Sequence, residues 1–350
     1  MSRFSSRALA SRRDLLEALL AEQGASLPDR IPRRTAGGPV PASFAQRRLW
    51  FLEQLEPGST AYTIAGALPL RGPLHVAALE RALNEVVRRH ESLRTTFTAP
   101  AGEPLQVVAP ELELPLAVHF VRDDAHRRAL ARAEAGAPFD LECGPLLRAV
   151  LLRLGGDEQE LLLTMHHIVS DGWSLEVLYR ELRTLYAAFA AGEPSPLPEL
   201  AIQYPDFALW QRGQAGDEQL DHWRRRLAGA PTVLELPADR SRPAAATHAG
   251  GAESLLLGAS DSAALRALAA AEEATPFMLT VSAFAVLAHR MTGQDDLLIG
   301  TPVAGRTRAE TEPLIGFFVN TLALRVDLSG RPSFRALLRR VRATVLEALA

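Results

Sequence analysis

The stretch MHHIVSDGWS, residues 165–174, joins two segments of different hydrophobic periodicity. Before it, residues 160–169 form a near-continuous apolar run, which is typical of a strand covered on both faces. After it, leucines recur at helical spacing as far as Ala191, and Ser174 is of a type that caps helices. The stretch therefore predicts a strand, a tight turn at Asp171-Gly172 and a helix, as in a mixed α/β (α+β) fold.

Two histidines end the predicted strand. Adjacent strand residues face opposite sides of a sheet, so only one of His166 and His167 can face a given cavity. The same alternation argues against a metal site, because the two rings would have to converge and no third soft ligand is near in sequence. A buried histidine is often structural, but one at a strand end, before an Asp-Gly turn and a helix, is placed like many catalytic bases. Asp171 is expected to fix the turn, and Gly172 to leave backbone open to a substrate.

Further elements are expected on both sides of this stretch, helices where apolar residues recur every three to four positions and strands at short apolar runs. The predicted helices are 76–90, 174–191, 260–273, 276–289 and 333–350, with an amphipathic segment ending at Trp210. The predicted strands are 93–97, 113–121, 148–154, 160–169, 255–257, 296–303 and 319–326. Both halves mix helices and strands without a repeat of fixed period.

The clearest interior break lies at residues 192–198, which hold three prolines, a glycine and a serine. It divides the expected body into lobes over 41–195 and 196–350. Residues 1–40 are expected to form an amphipathic helix over 12–23 and then a linker rich in Pro and Gly, and the acidic residues of that helix argue against a transit peptide.

The composition excludes several classes of protein. The 350 residues hold 38 Lys and Arg against 41 Asp and Glu, a formal net charge of −3, so electrostatics gives no reason to expect nucleic acid or a membrane as partner. No apolar run reaches the ~18 residues of a membrane helix. Cys143 is the single cysteine, which excludes an intrachain disulfide and a cysteine-based zinc cluster and fits a cytoplasmic location. The motifs GxGxxG, GxxxxGK[ST], GxSxG and HExxH are absent; residues 90–94 read HESLR instead.

The string HHxxxDG at residues 166–172 resembles the active-site motif of the condensation domains of nonribosomal peptide synthetases and of the wider acyltransferase superfamily that includes chloramphenicol acetyltransferase. Other segments resemble the condensation family in order and spacing: SFAQRRLW (43–50), RHESLRTTF (89–97), FDL (139–141), GPLLR (144–148), YPDFALW (204–210), GTPVAGR (300–306) and IGFFVNT (315–321). The resemblance runs from residue 41 to the end. Later family motifs of the HQDxPFE type are absent, and nothing stops the last helix, so we expect an incomplete C-terminal lobe.

This resemblance implies two chloramphenicol-acetyltransferase-like lobes arranged as a V with a tunnel between them. The implied reaction forms an amide between a donor peptidyl or aminoacyl thioester and the amine of an acceptor aminoacyl thioester. Both substrates would arrive on phosphopantetheine arms of carrier proteins, and the domain itself is expected to bind no cofactor and no metal. The implied partners are an upstream donor carrier protein, expected on another polypeptide, a downstream acceptor carrier protein and an adjoining adenylation domain.

The resemblance also assigns residues. His167 takes the catalytic role, as general base or as positioner of the amine and the tetrahedral intermediate, with His166 as its structural neighbour. Gly172 is expected to offer its backbone N–H to the oxyanion. Asp171 is expected to form a buried ion pair with Arg89 or, as the second candidate, with Arg94.

Substrate contacts are expected from Asn320 and Thr321 of the second lobe and from Trp173 and Ser174 of the first. The sequence around the histidines resembles that of the subtype that joins an L-configured donor to an L-configured acceptor. Two alternatives stay open: an epimerisation domain, which shares HHxxxDG, and a non-catalytic module of the same fold that binds carrier proteins. The intact family segments 43–50, 89–97 and 315–321 argue against the former, and the retained His167 and Asp171 argue against the latter.

Overall fold

The computed structural model describes residues 30–35, 37–214, 216–240 and 250–349. The helix predicted over 12–23 lies outside these residues. The helices are α1 (Phe44–Leu55), α2 (Val76–Arg89), α3 (Asp124–Gly136), α4 (Gly172–Ala190), α5 (Tyr204–Gly213), α6 (Asp217–Leu227), α7 (Ala259–Ala271), α8 (Pro276–Thr292) and α9 (Phe334–Leu349). The strands are β1 (Val40–Pro41), β2 (Thr63–Arg71), β3 (Thr95–Thr98), β4 (Leu105–Val108), β5 (Leu116–Phe120), β6 (Leu147–Gly155), β7 (Glu158–His166), β8 (Asp296–Val303) and β9 (Asn320–Asp327). Short 3₁₀ turns cover Glu91–Arg94, His167–Val169 and Ala309–Thr311.

The main sheet has the strand order β2-β7-β6-β5, and its inner strand β7 ends at His166, directly before His167. β7 pairs antiparallel with both neighbours, and β5 pairs parallel with β6. Leu161 and Leu163 of β7 belong to the core cluster formed with α2 and α4, whereas Leu162 packs in a cluster with Leu130 of α3. Helices therefore cover both faces of β7, which explains its near-continuous apolar run.

A smaller sheet lies in the second half of the chain. β8 and β9 pair antiparallel from Asp296 opposite Asp327 to Val303 opposite Asn320. Apolar residues of both strands form one core cluster with α8 and α9. A third sheet has the order β1-β4-β3. The mixed α/β fold predicted from the sequence is confirmed, while the division into lobes at residues 192–198 stays a prediction.

Some predicted elements differ from the structure. The strand predicted over 255–257 is wrong: Leu255 and Leu256 are 88% and 94% exposed, and no described strand pairs with this segment. A strand forms only where its backbone groups find hydrogen-bond partners. The strand predicted over 160–169 ends at His166, after which the chain tightens into a 3₁₀ turn.

The described part of the predicted linker packs onto the fold. Ile31 is buried, and the Arg34 guanidinium forms ion pairs with Asp206 of α5 (2.9 Å) and with Glu91 (2.6 Å). Two carboxylates therefore hold this linker segment against α5 and against the turn that follows α2.

Among the described residues, no single helix has the length and apolar composition needed to cross a bilayer; α7 and α8 reach that composition only as a pair that bends by 102°.

Candidate active site

The turn that follows β7 is held in place by backbone bonds. His166 donates its N–H to the Leu146 carbonyl (3.0 Å), and His167 donates its N–H to the Tyr62 carbonyl (2.8 Å). From α1, the Gln46 side-chain amide donates to the carbonyl of Ile168 (3.2 Å). Three elements therefore fix the backbone that carries the histidines.

His166 is a buried, neutral residue. Its Nδ1 accepts the Ile168 N–H at 3.1 Å, so the ring proton lies on Nε2. Burial lowers the pKa of His166 to about 4, with a smaller contribution from His167. The ring packs edge-on against Phe139, with 6.2 Å between ring centroids. These contacts agree with a structural role for His166, which stays a prediction.

His167 is half-buried and opens the 3₁₀ turn. Its Nδ1 lies 2.9 Å from the Ser170 carbonyl oxygen, which only accepts, so Nδ1 carries the proton and Nε2 presents a lone pair. No described residue bonds to Nε2. The ring lies edge-to-face with Phe317, at 5.4 Å between centroids. The fold therefore fixes the tautomer that a general base needs.

Asp171 caps α4 and is 1% exposed. Its Oδ1 accepts bonds from the Ser174 N–H (2.8 Å) and from Arg306 Nη2 (3.2 Å), and its Oδ2 accepts the Phe318 N–H (3.0 Å). The Ser174 hydroxyl lies 2.7 Å from Oδ1. Both carboxylate oxygens are thus used inside the protein, as a buried charge requires.

The ion-pair partner of Asp171 is Arg306, so the predictions of Arg89 and Arg94 are wrong. Arg89 pairs instead with Glu181 of α4 (3.0 Å), and Arg94 lies 3.9 Å from Glu91. The physical reason is the position of Arg89 relative to α4. Arg89 lies at the end of α2 and contacts α4 at Glu181, ten residues after its cap Asp171. Asp171 faces the loop after β8, from which Arg306 enters.

Arg306 is almost fully buried in this network. One amino nitrogen donates to the carbonyls of Thr311 and Leu314, and the other donates to Asp171 and the Ser174 hydroxyl. The guanidinium carbon lies 4.0 Å from the centre of the Phe318 ring. Burial lowers the pKa of Arg306, and the Asp171 charge acts in the opposite direction.

Residues 315–318, which we call the bridging segment, connect this network to His167. Side chains from the first 210 residues bind its backbone: the Ser174 hydroxyl contacts N–H and C=O of Gly316 (3.0 and 2.8 Å), the Tyr204 hydroxyl donates to the Phe317 carbonyl (2.5 Å), and Asp171 accepts the Phe318 N–H. A Cβ at Gly316 would lie 2.0 Å from the Tyr204 ring, so only glycine fits. The segment thereby places Phe317 against the catalytic candidate.

The predicted cap of α4 is corrected: Asp171 is the cap, and Ser174 is the third helical residue. Ser174 is 0% exposed and its hydroxyl serves the network, so the substrate contact predicted for it is wrong. Trp173 is 43% exposed, and its indole N–H donates to the Glu312 carbonyl (3.0 Å). The guanidinium carbon of Arg306 lies over the Trp173 ring, 5.8 Å from its centre.

Gly172 is exposed at the first position of α4, and a Cβ built there has no atom within 4 Å. The first N–H groups of a helix have no intrahelical partner. The Gly172 N–H therefore lies at the start of α4, five residues after His167 and at the positive end of the helix dipole.

Asn320 and Thr321 are exposed at the start of β9, directly after Val319. The Asn320 side-chain oxygen accepts the Thr321 N–H at 2.9 Å. No contact joins either residue to His167, so their substrate role stays a prediction. Within the described ranges, no group of three or more His, Cys, Asp or Glu is arranged to hold a metal ion.

Sequence reasoning missed Arg306 and the role of Phe317. The segment that holds Arg306 resembles the family, but nothing in it marks this arginine as a partner of Asp171, 135 residues earlier. Phe317 reads as ordinary core packing, because large aromatics are mostly buried.

Comparison with known proteins places these features in a family context. The family model described as "Condensation domain" matches residues 37–350. Malpibaldin synthetase of Mortierella alpina is 47% identical over 329 residues, which cover 91% of this chain and 6% of that protein. Phosphinothricin tripeptide synthetase PhsC of Streptomyces viridochromogenes is 48% identical over 351 residues, 97% of this chain and 32% of that protein.

Solved structures with the same fold include the X-domain from teicoplanin biosynthesis, with a TM-score of 0.84 and 32% identity, covering 92% of this chain and 73% of that one. A four-domain nonribosomal peptide synthetase bound to AMP and glycine has a TM-score of 0.80 and 26% identity, covering 89% of this chain and 24% of that one. The chain thus spans a small part of the synthetases it matches.

Proposed function

The chain belongs to the condensation domain family of nonribosomal peptide synthetases, and from this premise we propose that it joins two carrier-bound substrates by forming an amide. The donor is a peptidyl or aminoacyl thioester, and the acceptor is the amine of a second aminoacyl thioester. The observation that carries the proposal is the unbonded Nε2 of His167, in a ring whose tautomer Ser170 fixes.

In the proposed reaction the acceptor nitrogen attacks the donor carbonyl carbon, forming a C–N bond. An α-amine has a pKa of about 7.7–8.0 and is mostly protonated at pH 7, so it first releases one proton to solvent to become a nucleophile. As its nitrogen attacks, Nε2 of His167 accepts a second proton from it. The tetrahedral intermediate then breaks its C–S bond, and the protonated His167 returns this proton to the leaving phosphopantetheine thiolate, which gives a thiol and an amide.

We propose that the Gly172 N–H donates a hydrogen bond to the oxyanion of the tetrahedral intermediate. It is a free donor at the start of α4, where the helix dipole favours negative charge. A well-placed donor of this kind is worth about 3–4 kcal/mol. We assign no chemical step to Asp171, because its oxygens are occupied by Ser174, Arg306 and Phe318.

Positioning is the second part of the proposed activity. Thioesters are already activated, so aligning two tethered reactants supplies much of the acceleration, up to roughly 7–11 kcal/mol in favourable cases. We propose that the substrates contact Trp173, which follows the turn, and Asn320 and Thr321 at the start of β9.

The finer assignments are also proposals. We propose an L-configured donor and an L-configured acceptor, a donor carrier protein on another polypeptide, a downstream acceptor carrier protein and a neighbouring adenylation domain. The solved four-domain synthetase, in which a similar domain is one of four, supports such a setting. We propose that the domain itself holds no cofactor and works in the cytoplasm.

The test supplies the chain with a donor aminoacyl thioester on one carrier protein and an acceptor aminoacyl thioester on another, and follows the acceptor by mass spectrometry. Condensation predicts a dipeptidyl thioester on the acceptor carrier and a free thiol on the donor carrier. An epimerised aminoacyl group without amide formation would favour the epimerisation alternative. Binding of carriers, measured by calorimetry, without any new product would favour the non-catalytic module.

A further inference from the structure

The segment HESLR at residues 90–94 is not used by the chemistry described above, yet its histidine lies in the core. His90 follows α2 and is 1% exposed. Its Nδ1 accepts the Ile315 N–H at 3.2 Å, and its Nε2 lies 3.0 Å from Oε2 of Glu181 on α4. Because Nδ1 accepts, the ring proton lies on Nε2 and is donated to the carboxylate. His90 thus connects α4 to the first residue of the bridging segment.

The charges around His90 keep this bond pattern fixed. Burial lowers the pKa of His90, so the ring is neutral at physiological pH. Burial alone would raise the pKa of Glu181, but bonds from His90 and Arg89 lower it to about 2. Arg89 Nε and Nη2 donate to the two oxygens of Glu181 at 3.0 and 3.3 Å. A permanently charged Glu181 accepts only, which holds the proton of His90 on Nε2.

Both backbone polar groups of Ile315 are held from the same segment. The Ser92 hydroxyl donates to the Ile315 carbonyl at 2.7 Å, while His90 accepts its N–H. Ile315 lies two residues before Phe317, whose ring contacts His167. A shift of Ile315 is therefore transmitted through Gly316 to the aromatic wall of the proposed active site.

We infer that His90 is a positioning residue: through its Nδ1 bond to Ile315 it sets the bridging segment, and hence Phe317, against His167. The kinetic part of this inference rests on the proposed function. The structural part, that the Nδ1 bond holds the bridging segment, stands without it.

Two substitutions separate the two bonds of His90. The side-chain oxygen of Asn lies near the place of Nδ1, so His90→Asn keeps an acceptor for Ile315 and loses the donor to Glu181. The side-chain nitrogen of Gln reaches the place of Nε2, so His90→Gln keeps the donor and loses the acceptor. We expect kcat about tenfold lower in His90→Gln with KM within about twofold of the parent, because misplacement by about 1 Å can cost up to about 100-fold. His90→Asn is expected to keep at least about half of the parental kcat.

Amide hydrogen exchange of a peptide covering 314–318 gives a readout that needs no substrate. We expect exchange about tenfold faster in His90→Gln and within about twofold of the parent in His90→Asn. The control is Asn84→Ala on α2, which removes bonds to the Glu80 carbonyl of the same helix and to the backbone of Leu114 before β5 and does not touch the bridging segment. It is expected to lower stability while leaving kcat and this exchange at parental values.

Equal losses in the two His90 variants, or a larger loss in His90→Asn, would overturn the inference. So would a loss of kcat in Asn84→Ala equal to that in His90→Gln, because general destabilisation would then explain both. If neither His90 variant folds, ¹⁵N NMR of the His90 ring in the parent decides: a proton on Nε2 with an unprotonated Nδ1 supports the inference, and a proton on Nδ1 overturns it. If the parent forms no amide but the exchange pattern holds, the proposed function fails and the positioning role of His90 stands.

Discussion

The two ends of the turn between β7 and α4 differ in how they use their polar atoms. At its start, His167 is half-buried and keeps Nε2 free of any described partner, while Nδ1 is bound by Ser170. Four residues later, Asp171 is buried and both oxygens accept bonds from within the protein. A group that must exchange a proton with a substrate needs an open atom, whereas a group that holds two parts of the chain together needs none.

The difference between the two ends shows that one short motif combines two tasks. The His167 end is suited to chemistry, and the Asp171 end joins α4 to the bridging segment and to the loop that carries Arg306. Substitutions at the two ends should therefore separate activity from folding.

The largest effect on folding is expected for Asp171→Asn. It leaves the buried Arg306 without its opposite charge, and breaking such a pair costs about 3–5 kcal/mol of unfolding free energy. Urea denaturation measures this loss. The matched control is Glu103→Gln, which removes the exposed ion pair with Arg47 (side chains 52% and 55% exposed) and is expected to cost at most about 1 kcal/mol. An Asp171→Asn protein as stable as the parent but slow in turnover would assign Asp171 to chemistry.

The second effect is the pH dependence that His166 gives to the unfolding free energy. His166 stays neutral in the folded protein down to about pH 4, whereas in the unfolded chain it takes up a proton near pH 6.5. The unfolded state binds more protons in this window, so the contribution of His166 is complete above pH 6.5 and falls by up to about 3 kcal/mol as the pH drops to 4. His166→Asn, which keeps an acceptor for the Ile168 N–H, is expected to flatten this part of the stability curve. An unchanged slope in the variant would contradict the assignment.

The third effect compares two glycines. Gly316→Ala places a Cβ 2.0 Å from the Tyr204 ring and is expected to cost about 1–3 kcal/mol through overpacking. Gly172→Ala meets no atom within 4 Å, so its stability should change by less than about 0.5 kcal/mol. If Gly172 faces the substrate, the added methyl group is expected to slow turnover by about tenfold. Parental turnover in Gly172→Ala, which keeps the backbone N–H, would contradict a close approach of the substrate to the Cα of Gly172.

Local sequence predicted those parts of the site that depend on local physics. The apolar run of β7 and the leucine spacing of α4 are set by periodicity, and the structure confirms them. The tight turn predicted at Asp171-Gly172 forms earlier, over His167–Val169, and Asp171 and Gly172 begin α4. Asp and Ser are both common N-cap residues, so the sequence alone does not show whether α4 begins after Asp171 or after Ser174. In the structure the helix begins at Gly172, which makes Asp171 the cap. The partner of Asp171 depends on which loop the fold brings to it, and Arg306 is 135 residues away.

The strand predicted over 255–257, which does not form, also depends on residues far away in the sequence. Three consecutive leucines indicate burial, but a strand needs a neighbour with free backbone groups, and composition does not encode one. Non-local pairing limits the prediction of strands and of ion pairs alike.

The role of His167 as general base is tested by His167→Ala, with turnover and stability measured on the same preparation. We expect amide formation at least about 100-fold slower, as for loss of a general base, with the unfolding free energy within about 1 kcal/mol of the parent. Near-parental amide formation, or a loss of activity matched by unfolding of the variant at the assay temperature, would contradict it.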